Sequence, residues 1–487
     1  MKFFSPTLLA VLGMAVLAAS DEECTRGMLL ITDTDSTALR GYDLDGTLEN
    51  IQVAGSLTLA GNNGQYLQHA GTSGITLGAV DRGTEENFYA DGSVSFVTTG
   101  VELHIHDGLP VIHKDEGLSL IANAAIDCAR PIHLASHDNK VAVFCDGSYD
   151  AVPQLNSTVW VVDESLFGSA TQSAIVYTET LQGSHHGVAV PVDDNHVMYS
   201  LALDDRINRI NGANGSPVSA LPTTFQVVDY DGNVLHSLDD EIDPNASCSG
   251  FHGSSAIDNT IALACDADHG GIVVVDYNQN TAAYASRALS YPVDYTVHRT
   301  GTLVDHPKSS LIIGNFAGAT MFHLMILDPA MSGTQLQESS ILELEARPCK
   351  FDFEQSEGEH VLVWLANGVF RVYAIDPAWS LVAEITVLEG MESCAQGSMT
   401  PGYGQAFVTE PLTQKLYSLD LTHVDHGGSI EVAETALGFT PVSSIVSGVP
   451  VGGECSGHDG DFASAGAWVK HLSFAGATLL SALGMLF

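Results

Sequence analysis

The sequence predicts an all-β fold, a single β-propeller with eight blades preferred and seven as the alternative. A short apolar strand, a turn and a second strand that closes with an aspartate recur along the chain, mostly at intervals of about 40 to 50 residues. No segment with helical periodicity interrupts the series, and Gly and Asp mark its turns. Small sheets of this kind bury their faces only against neighbouring sheets, which favours a closed ring.

Eight repeat units can be recognised, from "LLITDTDSTALRGYDLDG" near the start to "QAFVTEPLTQKLYSLDLT" near the end. Their closing aspartates are Asp43, Asp81, Asp163, Asp229, Asp276, Asp328, Asp376 and Asp420. Seven blades would result if two units shared one sheet. The longest gap, between Asp81 and Asp163, holds an insertion that we expect to project from one end of the ring.

The two ends of the chain carry targeting patterns that divide it into three segments. Residues 1–20 have one lysine, an apolar run and the small residues Ala18 and Ser20, which predicts a secretory signal peptide. Residues 456–487 combine small residues, a basic pair and a final apolar run, which fits a GPI-attachment signal. A membrane-anchor helix or a last buried segment is the alternative. We expect the propeller in residues 21–455 of a secreted or cell-surface protein, with membrane contact only through the tail.

The charge balance excludes one class of partner. The chain has 59 acidic and 17 basic residues and a formal net charge of -42. Such a surface repels nucleic acid, whose binding needs clustered Lys and Arg, and it concentrates cations. Hydrophobic residues make up 45% of the chain, which is enough for a core. Sequons at Asn156, Asn214 and Asn245 are compatible with glycosylation on a eukaryotic secretory route.

Eight cysteines in an exported chain predict disulfides. Two pairs lie 17 positions apart and flank a turn and a strand, which favours bonds within blades. Cys349 and Cys394 are the next most natural pair. A bond between the remaining two, Cys24 and Cys455, would join the two ends of the chain and close the ring. In that order the expected bonds are Cys128–Cys145, Cys248–Cys265, Cys349–Cys394 and Cys24–Cys455. Spacing alone leaves other pairings open.

The densest group of metal-competent side chains lies in the insertion, in "TTGVELHIHDGLPVIHKDEG". Residues i and i+2 of a strand share a face, so His104 and His106 can chelate one ion. Asp107 or His113 could fold back from the loop as a third ligand. Zinc accepts imidazole nitrogen and carboxylate oxygen in tetrahedral sites, so three histidines with a carboxylate or water would satisfy it.

Further histidines occur at matching places in later units, in "ARPIHLASHD", "GSHHGVAVP" and "SGFHGSSAID". They are His133, His185 with His186, and His252. Segments that enter the innermost strands of a propeller approach its central channel, so these histidines can converge on one site. Neighbours on a strand face opposite ways, so one of His185 and His186 is expected as a ligand, and His186 is favoured. A core histidine bonded to a backbone carbonyl is the alternative for either.

The chain contains, in order, "RPIHLASHDNKVAVFCDGS", "HHGVAVPVDDNHVM", "GFHGSSAIDNTIALAC" and "RTGTLVDHPKSSLIIGNF". These segments resemble those of the AztD family of periplasmic zinc metallochaperones, and the likeness covers about residues 25 to 450. It implies a β-propeller that holds zinc and hands it to the solute-binding protein of a zinc ABC transporter. The family's His- and Asp-rich stretch corresponds to "GVELHIHDGLPVIH" in this chain, which is less dense in both residues.

Together these patterns predict a secreted or surface-anchored zinc-binding propeller, not an enzyme, that acquires, buffers or hands over zinc. Its expected cofactor is Zn2+, and its expected partner is a zinc-transporter binding protein. The expected metal ligands are His104, His106, Asp107, His113, His133, His186 and His252. One alternative is a surface interaction scaffold without metal. Another is a metal-dependent, lactonase-like hydrolase in which an ion activates water and Asp107 or Glu102 is the base.

Overall fold

Eight antiparallel sheets of four or five strands follow one another along the chain, which confirms the eight-bladed propeller. The computed structural model describes residues 28–33, 35–44, 52–59, 66–70, 76–99, 101–106, 109–114, 118–148, 151–202, 221–238, 248, 250–265, 271–295, 299–318, 321–331, 333–355, 358–376, 378–402, 404–424 and 427–447. Residues 1–20 and 456–487, like Asn214 and Asn245, lie outside these ranges. Within them no segment is an α-helix, and no helix is long and apolar enough to cross a membrane.

In the described part of the chain, thirty-five strands, numbered in chain order, build the sheets. Those of the first two blades, with an inserted hairpin, are β1 (Met28–Asp33), β2 (Ala38–Asp43), β3 (Gln52–Thr58), β4 (Tyr66–Ala70), β5 (Thr76–Asp81), β6 (Ser93–Thr98), β7 (Val101–His106), β8 (Leu109–Lys114), β9 (Ser119–Leu120) and β10 (Ile126–Asp127). Those of the third to fifth blades are β11 (Pro131–His137), β12 (Lys140–Cys145), β13 (Thr158–Asp163), β14 (Ile175–Thr180), β15 (Ala189–Pro191), β16 (His196–Leu201), β17 (Thr224–Asp229), β18 (Val234–Ser237), β19 (Phe251–Ile257), β20 (Thr260–Cys265), β21 (Gly271–Asn278) and β22 (Ala283–Ser290). The remaining strands are β23 (Leu303–Val304), β24 (Ile312–Ala317), β25 (Phe322–Leu327), β26 (Ile341–Leu344), β27 (Pro348–Phe353), β28 (His360–Leu365), β29 (Val369–Ala374), β30 (Ser380–Thr386), β31 (Ser398–Pro401), β32 (Gln405–Glu410), β33 (Lys415–Asp420), β34 (Glu431–Ala436) and β35 (Pro441–Ser447). Short 3-10 turns lie at Glu85–Asn87, Ala122–Ala124, Glu164–Leu166, Val293–Tyr295, Glu338–Ser340 and Cys394–Gln396.

The innermost strands of the blades surround a central channel. They are β35, β4, β11, β15, β19, β23, β27 and β31. Because consecutive strands of each sheet are antiparallel, the innermost strands all begin at the same end of the channel. We call this the entry end, and it is marked by Pro131, Ala189 and Phe251, the first residues of β11, β15 and β19.

The ring is closed by pairing between the first and last described strands. β35 joins the first blade beside β1, with Met28 opposite Ser447 and Leu30 opposite Ile445. The last strand thus supplies the innermost position of the first blade. The covalent closure predicted from Cys24 and Cys455 lies outside the described residues.

The core consists of apolar clusters between neighbouring blades. β12, "KVAVFC", is buried along its whole length. Val141 and Val143 pack into the cluster shared with the second blade, and Ala142 and Phe144 into the cluster shared with the fourth. Because side chains alternate across a strand, a strand between two other blades needs apolar residues on both of its faces. This explains the uninterrupted apolar runs in the sequence.

Seven of the eight closing aspartates lie at, or within two residues of, the end of the third strand of a blade. The Oδ1 atoms of Asp163, Asp229 and Asp420 each accept a hydrogen bond from the backbone N–H two residues later. Asp81 is the exception, because it ends β5, the second strand of its blade. Its Oδ1 accepts from Gly83 N–H in the same way. An Asx turn needs only a carboxylate and a nearby N–H, so the aspartate pattern does not tell the two strands apart.

The insertion after Asp81 contains a hairpin, β7 with β8, in which His104 lies opposite Val111. It separates β6 from β9 and β10, two short strands that both pair with β6 at the outer edge of the second blade. β6 runs away from the entry end and finishes at Thr98. The hairpin therefore begins at the end of the ring opposite the entry end.

Three disulfides occur among the described residues, and they are three of the expected bonds. They are Cys128–Cys145, Cys248–Cys265 and Cys349–Cys394. The first joins the segment before β11 to the end of β12, so it braces the entry end of the third blade. Asn156, one of the three sequon asparagines, is exposed in the loop that follows β12.

Candidate metal centre

Three histidines from consecutive blades converge at the entry end. His133 is the third residue of β11, His252 is the second residue of β19, and His186 lies three residues before β15. One ligand nitrogen of each lies within 4.8 Å of the others, and all three side chains are partly buried. Their ring centroids are 4.8 to 5.6 Å apart. We call these three residues the histidine triad.

A buried carboxylate orients His186. Its Nδ1 lies 2.9 Å from Asp146 Oδ2, and the Asp146 side chain is only 3% exposed. The Nδ1–H donates to this carboxylate, which leaves the lone pair on Nε2. The Asp146 carbonyl is in turn held by hydrogen bonds from Ser157 Oγ and Ser184 Oγ at 2.7 and 2.8 Å. Histidines that bind metals commonly have such a carboxylate behind them, because it fixes the tautomer and makes the ligand nitrogen more basic.

A backbone carbonyl orients His252. Its Nδ1 lies 2.6 Å from the Gly301 oxygen, so Nδ1–H donates and Nε2 again carries the lone pair. Gly253 makes this contact sterically accessible, because a Cβ at this position would lie 2.6 Å from the Gly301 oxygen. Gly187, which follows His186, is equally confined, since its Cβ would lie 2.7 Å from Ser200 Oγ. Each glycine lets the backbone beside a triad histidine approach its neighbour closely.

His133 completes the triad. Its Nε2 lies 3.2 Å from His186 Nε2, and because the latter can only accept, His133 Nε2–H is the donor in the metal-free form. Burial lowers the pKa of His133 well below its ordinary value of 6.5, and electrostatic repulsion from the neighbouring histidines and Arg82 lowers this pKa further. His133 is therefore neutral at pH 7, as a metal ligand must be. To bind a metal through Nε2, it has to carry its proton on Nδ1 instead.

The spacing suits a tetrahedral ion. Zinc–nitrogen bonds of about 2.0–2.1 Å place ligand nitrogens about 3.3 Å apart. The His133 and His186 nitrogens already lie 3.2 Å apart. With all ligand atoms within 4.8 Å of one another, the remaining gaps have to close by at most about 1.5 Å. No carboxylate or thiolate among the described residues joins the group, so the described donors number three and leave a fourth position for another ligand.

His185, the neighbour of His186, belongs to the core. It is 1% exposed, and its Nδ1 and Nε2 lie 3.3 Å from Ser157 Oγ and the Ser200 carbonyl oxygen. Its ring also packs on Phe144. Burial lowers the pKa of His185 to about 4. His186 faces the triad and His185 does not.

The other predicted ligands belong to the insertion. His104 and His106 lie in β7 and His113 lies in β8. Their side chains, and Asp107 as a whole, lie outside the described residues. The hairpin follows the third strand of its blade, and that strand runs away from the entry end. The hairpin therefore begins at the end of the ring opposite the triad. Because their side chains lie outside the described residues, a site shared with the triad stays a prediction. Glu102, the alternative catalytic base, lies in the same hairpin.

Asp146 and Gly301 are the groups that the sequence did not single out. Asp146 follows the disulfide cysteine Cys145, where the motif "FCDGS" looks like an ordinary turn. Gly301 contributes only its backbone oxygen. A signal was present in the glycine after each of two triad histidines, in "HHG" and "FHG", because glycine at such places indicates a close backbone approach.

Proteins of similar sequence bear on the nature of this site. No protein-family model matches the chain. A curated protein from Citrobacter koseri named zinc chaperone AztD is 24% identical over 431 residues, which are 87% of this chain and 88% of that protein. This chain is similar to AztD. The resemblance inferred from the four motifs is thereby confirmed, and the relative is named as a chaperone and not as an enzyme.

The solved structures of AztD have the same fold. A crystal structure of Citrobacter koseri AztD superimposes with a TM-score of 0.68 at 20% identity and covers 87% of this chain and 98% of that one. The apo form of AztD from the same organism gives a TM-score of 0.66 at 22% identity with the same coverage. The propeller architecture is therefore shared with AztD over the whole ring.

Proposed function

We propose that this protein binds zinc at the histidine triad and acts as a zinc carrier that acquires, buffers or hands over the ion. One observation supports this most strongly. His186 and His252 each have Nδ1 committed to a hydrogen bond, which leaves a lone pair on Nε2, and one ligand nitrogen of each triad histidine lies within 4.8 Å of the others. In protein metal sites, the histidine ligands are commonly oriented by a hydrogen bond of this kind from the ring nitrogen that does not bind the metal. The similarity to a protein named zinc chaperone favours zinc among the metals that imidazole binds.

The number and position of the ligands favour a carrier over a structural site. Structural zinc is usually held by four protein ligands, whereas the described residues supply three, with a fourth position for water or for a group of the recipient. The triad is partly buried at the mouth of the channel, where an incoming ligand can reach the ion. We propose that a recipient ligand enters this fourth position and displaces the imidazoles in turn. A zinc-transporter binding protein is the recipient that the likeness to AztD suggests.

We also propose that the carrier is exported and held at the cell surface. The N-terminal apolar segment, the small-residue and apolar tail and the three disulfides support this proposal. Localisation of the full chain before and after treatment with a GPI-specific phospholipase tests it. Release of the protein into the medium is the expected result, and retention in the cytosol would exclude it.

The two alternative functions have no specific observation in their favour. A scaffold would not need the paired orientation of His186 and His252. A hydrolase needs a carboxylate base beside the metal-bound water, and the nearest identified carboxylate, Asp146, is committed to His186 through Oδ2. Protein that is metal-free and also fails to bind added zinc would favour the scaffold, and metal-dependent hydrolysis of lactones or esters would favour the enzyme.

The binding test is a zinc titration of the metal-free protein against a chromophoric chelator. We expect one zinc per chain, and a loss of affinity of at least about 100-fold in His133→Ala, His186→Ala and His252→Ala, because each removes one of three ligands. The matched control is His196→Ala, since His196 also pairs with a carboxylate, Asp193, at 2.8 Å but lies outside the triad. Equal zinc affinity in the wild type and all three triad variants would rule out the site.

Two further measurements separate a carrier from a static zinc site. The zinc-loaded protein should release its ion on acidification from about pH 7.5 to about pH 5, because protons compete for imidazole nitrogen. Full retention at the lower pH would count against a histidine site. Transfer to an acceptor chelator at constant pH should become faster as the acceptor concentration rises, since the acceptor enters the open position. A rate independent of the acceptor would mean that zinc dissociates first.

A further inference from the structure

A cavity lies at the entry end, between the sixth and seventh blades. Its volume is about 530 Å³, which is enough for a small organic ligand. Thr302 and Asn315 line one side, and Arg347 and Lys350, at the start of β27, line the other. It adjoins the triad, because Gly301, whose carbonyl accepts the His252 hydrogen bond, directly precedes Thr302.

The lining is basic although the protein is strongly acidic. Arg347 and Lys350 belong to it, and none of its identified residues is Asp or Glu, in a chain with 59 acidic residues against 17 basic ones. Lys350 Nζ lies 3.3 Å from Asp352 Oδ2, so part of its charge is balanced. No hydrogen bond or ion pair of the Arg347 guanidinium is found among the described residues. One positive charge is therefore available to a ligand.

The Asn315 side chain adds a donor and no free acceptor to the lining. Asn315 Oδ1 accepts hydrogen bonds from the backbone N–H groups of Gly301 and Thr302 at 3.3 and 2.9 Å. This fixes the carboxamide and leaves its NH2 group, which can only donate, for other partners. A site that combines a guanidinium, an ammonium and an amide NH2 selects a ligand rich in acceptor oxygens.

The rest of the wall consists of three phenylalanines, His323, Pro348 and the disulfide cysteine Cys349. Phe316 and Phe351 are almost fully buried, so Phe322, which is partly exposed, presents most of the apolar surface to a ligand. Aromatic walls stabilise an apolar group by contact and by exclusion of water. The two halves of the lining thus suit a ligand with a charged head and an apolar body.

We propose that this cavity binds a small organic carboxylate, whose charged group pairs with Arg347 and whose apolar body packs on Phe322. The planar guanidinium matches a carboxylate in two parallel hydrogen bonds, which a lysine cannot do. Lys350 and the Asn315 NH2 group provide the remaining contacts. This binding goes beyond the proposed zinc function and does not depend on it.

The test is isothermal titration of the metal-free protein with phenylacetate, and with phenylacetamide as the uncharged analogue. We expect phenylacetate to bind at least about tenfold more tightly than phenylacetamide, because a charge-assisted pair with Arg347 is lost in the amide. Arg347→Gln should lower the affinity for phenylacetate at least about tenfold and remove the preference over the amide. Lys415→Gln is the matched control, since Lys415 pairs with Glu434 in the eighth blade, away from the cavity.

Because phenylacetate binding does not depend on the metal site, we expect His133→Ala to bind phenylacetate as tightly as the wild type. Equal affinity for the acid and the amide would overturn the proposal. So would unchanged phenylacetate binding in Arg347→Gln, or no detectable binding of phenylacetate at concentrations up to about 10 mM.

Discussion

Asp146 is the residue on which the orientation of the triad most depends. Its carboxylate is buried and accepts the Nδ1–H of His186. In Asp146→Asn the shape is kept and the charge is lost, so we expect the zinc affinity to fall about 10- to 100-fold. A chelator competition assay measures this change. Asp193→Asn, which removes the carboxylate behind His196, should leave the affinity unchanged. Equal affinities in both variants would mean that Asp146 has no orienting role.

Gly253 is a second sensitive position, because a side chain there meets the Gly301 carbonyl that holds His252. We expect Gly253→Ala to weaken zinc binding at least about tenfold and to cost about 1–3 kcal/mol of unfolding free energy, since the backbone must shift. Urea unfolding and zinc titration measure the two effects. Gly55→Ala in β3 is the control, because a Cβ there has no neighbour within 4 Å. If both substitutions behave alike, the packing argument is wrong.

At the scale of elements, the segment between β14 and β15 presents one histidine to the core and the next to the channel. Burial lowers the pKa of His185 to about 4, against an ordinary value of 6.5. The unfolded chain therefore binds more protons than the folded one below about pH 6.5, and stability falls as the pH falls through this range. At about pH 5 we expect His185 to account for a loss of about 2 kcal/mol relative to pH 7.

The measurement is urea unfolding of the metal-free protein at both pH values. The side chain in His185→Asn cannot be protonated. Between pH 7 and pH 5 the variant should therefore lose about 2 kcal/mol less unfolding free energy than the wild type does. Carboxylates that titrate in this range affect both proteins and cancel in the comparison. A variant with the wild-type pH dependence would show that His185 is not buried in the neutral form.

The hairpin of β7 and β8 lies in the segment with the densest group of metal-competent side chains in the sequence. It begins at the end of the ring opposite the triad. We therefore expect the double variant His104→Ala, His106→Ala to keep one zinc per chain with an affinity within about threefold of the wild type. Competition titration measures it. A loss of tenfold or more would mean that the hairpin supplies ligands to the same ion.

At the scale of the whole molecule, the pairing of β35 with β1 holds the ring closed. Val446 in β35 is fully buried, whereas Val442 in the same strand is 38% exposed. A buried unpaired charge is strongly destabilising, so we expect Val446→Asp to lower the unfolding free energy by about 3–5 kcal/mol. Val442→Asp should cost less than about 1 kcal/mol. Chemical unfolding compares them, and similar losses would mean that β35 is not essential to closure.

The architecture was open to prediction from the sequence because its causes are local and repeated. Buried second strands such as β12 need apolar residues on both faces, and the closing turns use aspartate, so both leave a periodic mark in the sequence. Asp81 shows the limit of the aspartate pattern, because the same turn there follows the second strand of a blade and not the third. The pairing of β35 with β1 joins positions about 400 residues apart and leaves no such mark.

The site was predictable only in part. His133, His186 and His252 occupy equivalent places in consecutive blades, so their convergence follows from the repeat. The histidines of the hairpin are dense in sequence, but sequence density does not reveal at which end of the ring a connection lies. Asp146 could not be assigned, because its role depends on a loop from another blade placing His186 within 2.9 Å of it.

The most direct test of the account is a crystal structure of the zinc-loaded protein with anomalous differences measured at the zinc edge. The account predicts one strong peak at the entry end, bound by Nε2 of His133, His186 and His252 at about 2.0–2.1 Å. A triad without zinc in crystals that hold the ion elsewhere would contradict it.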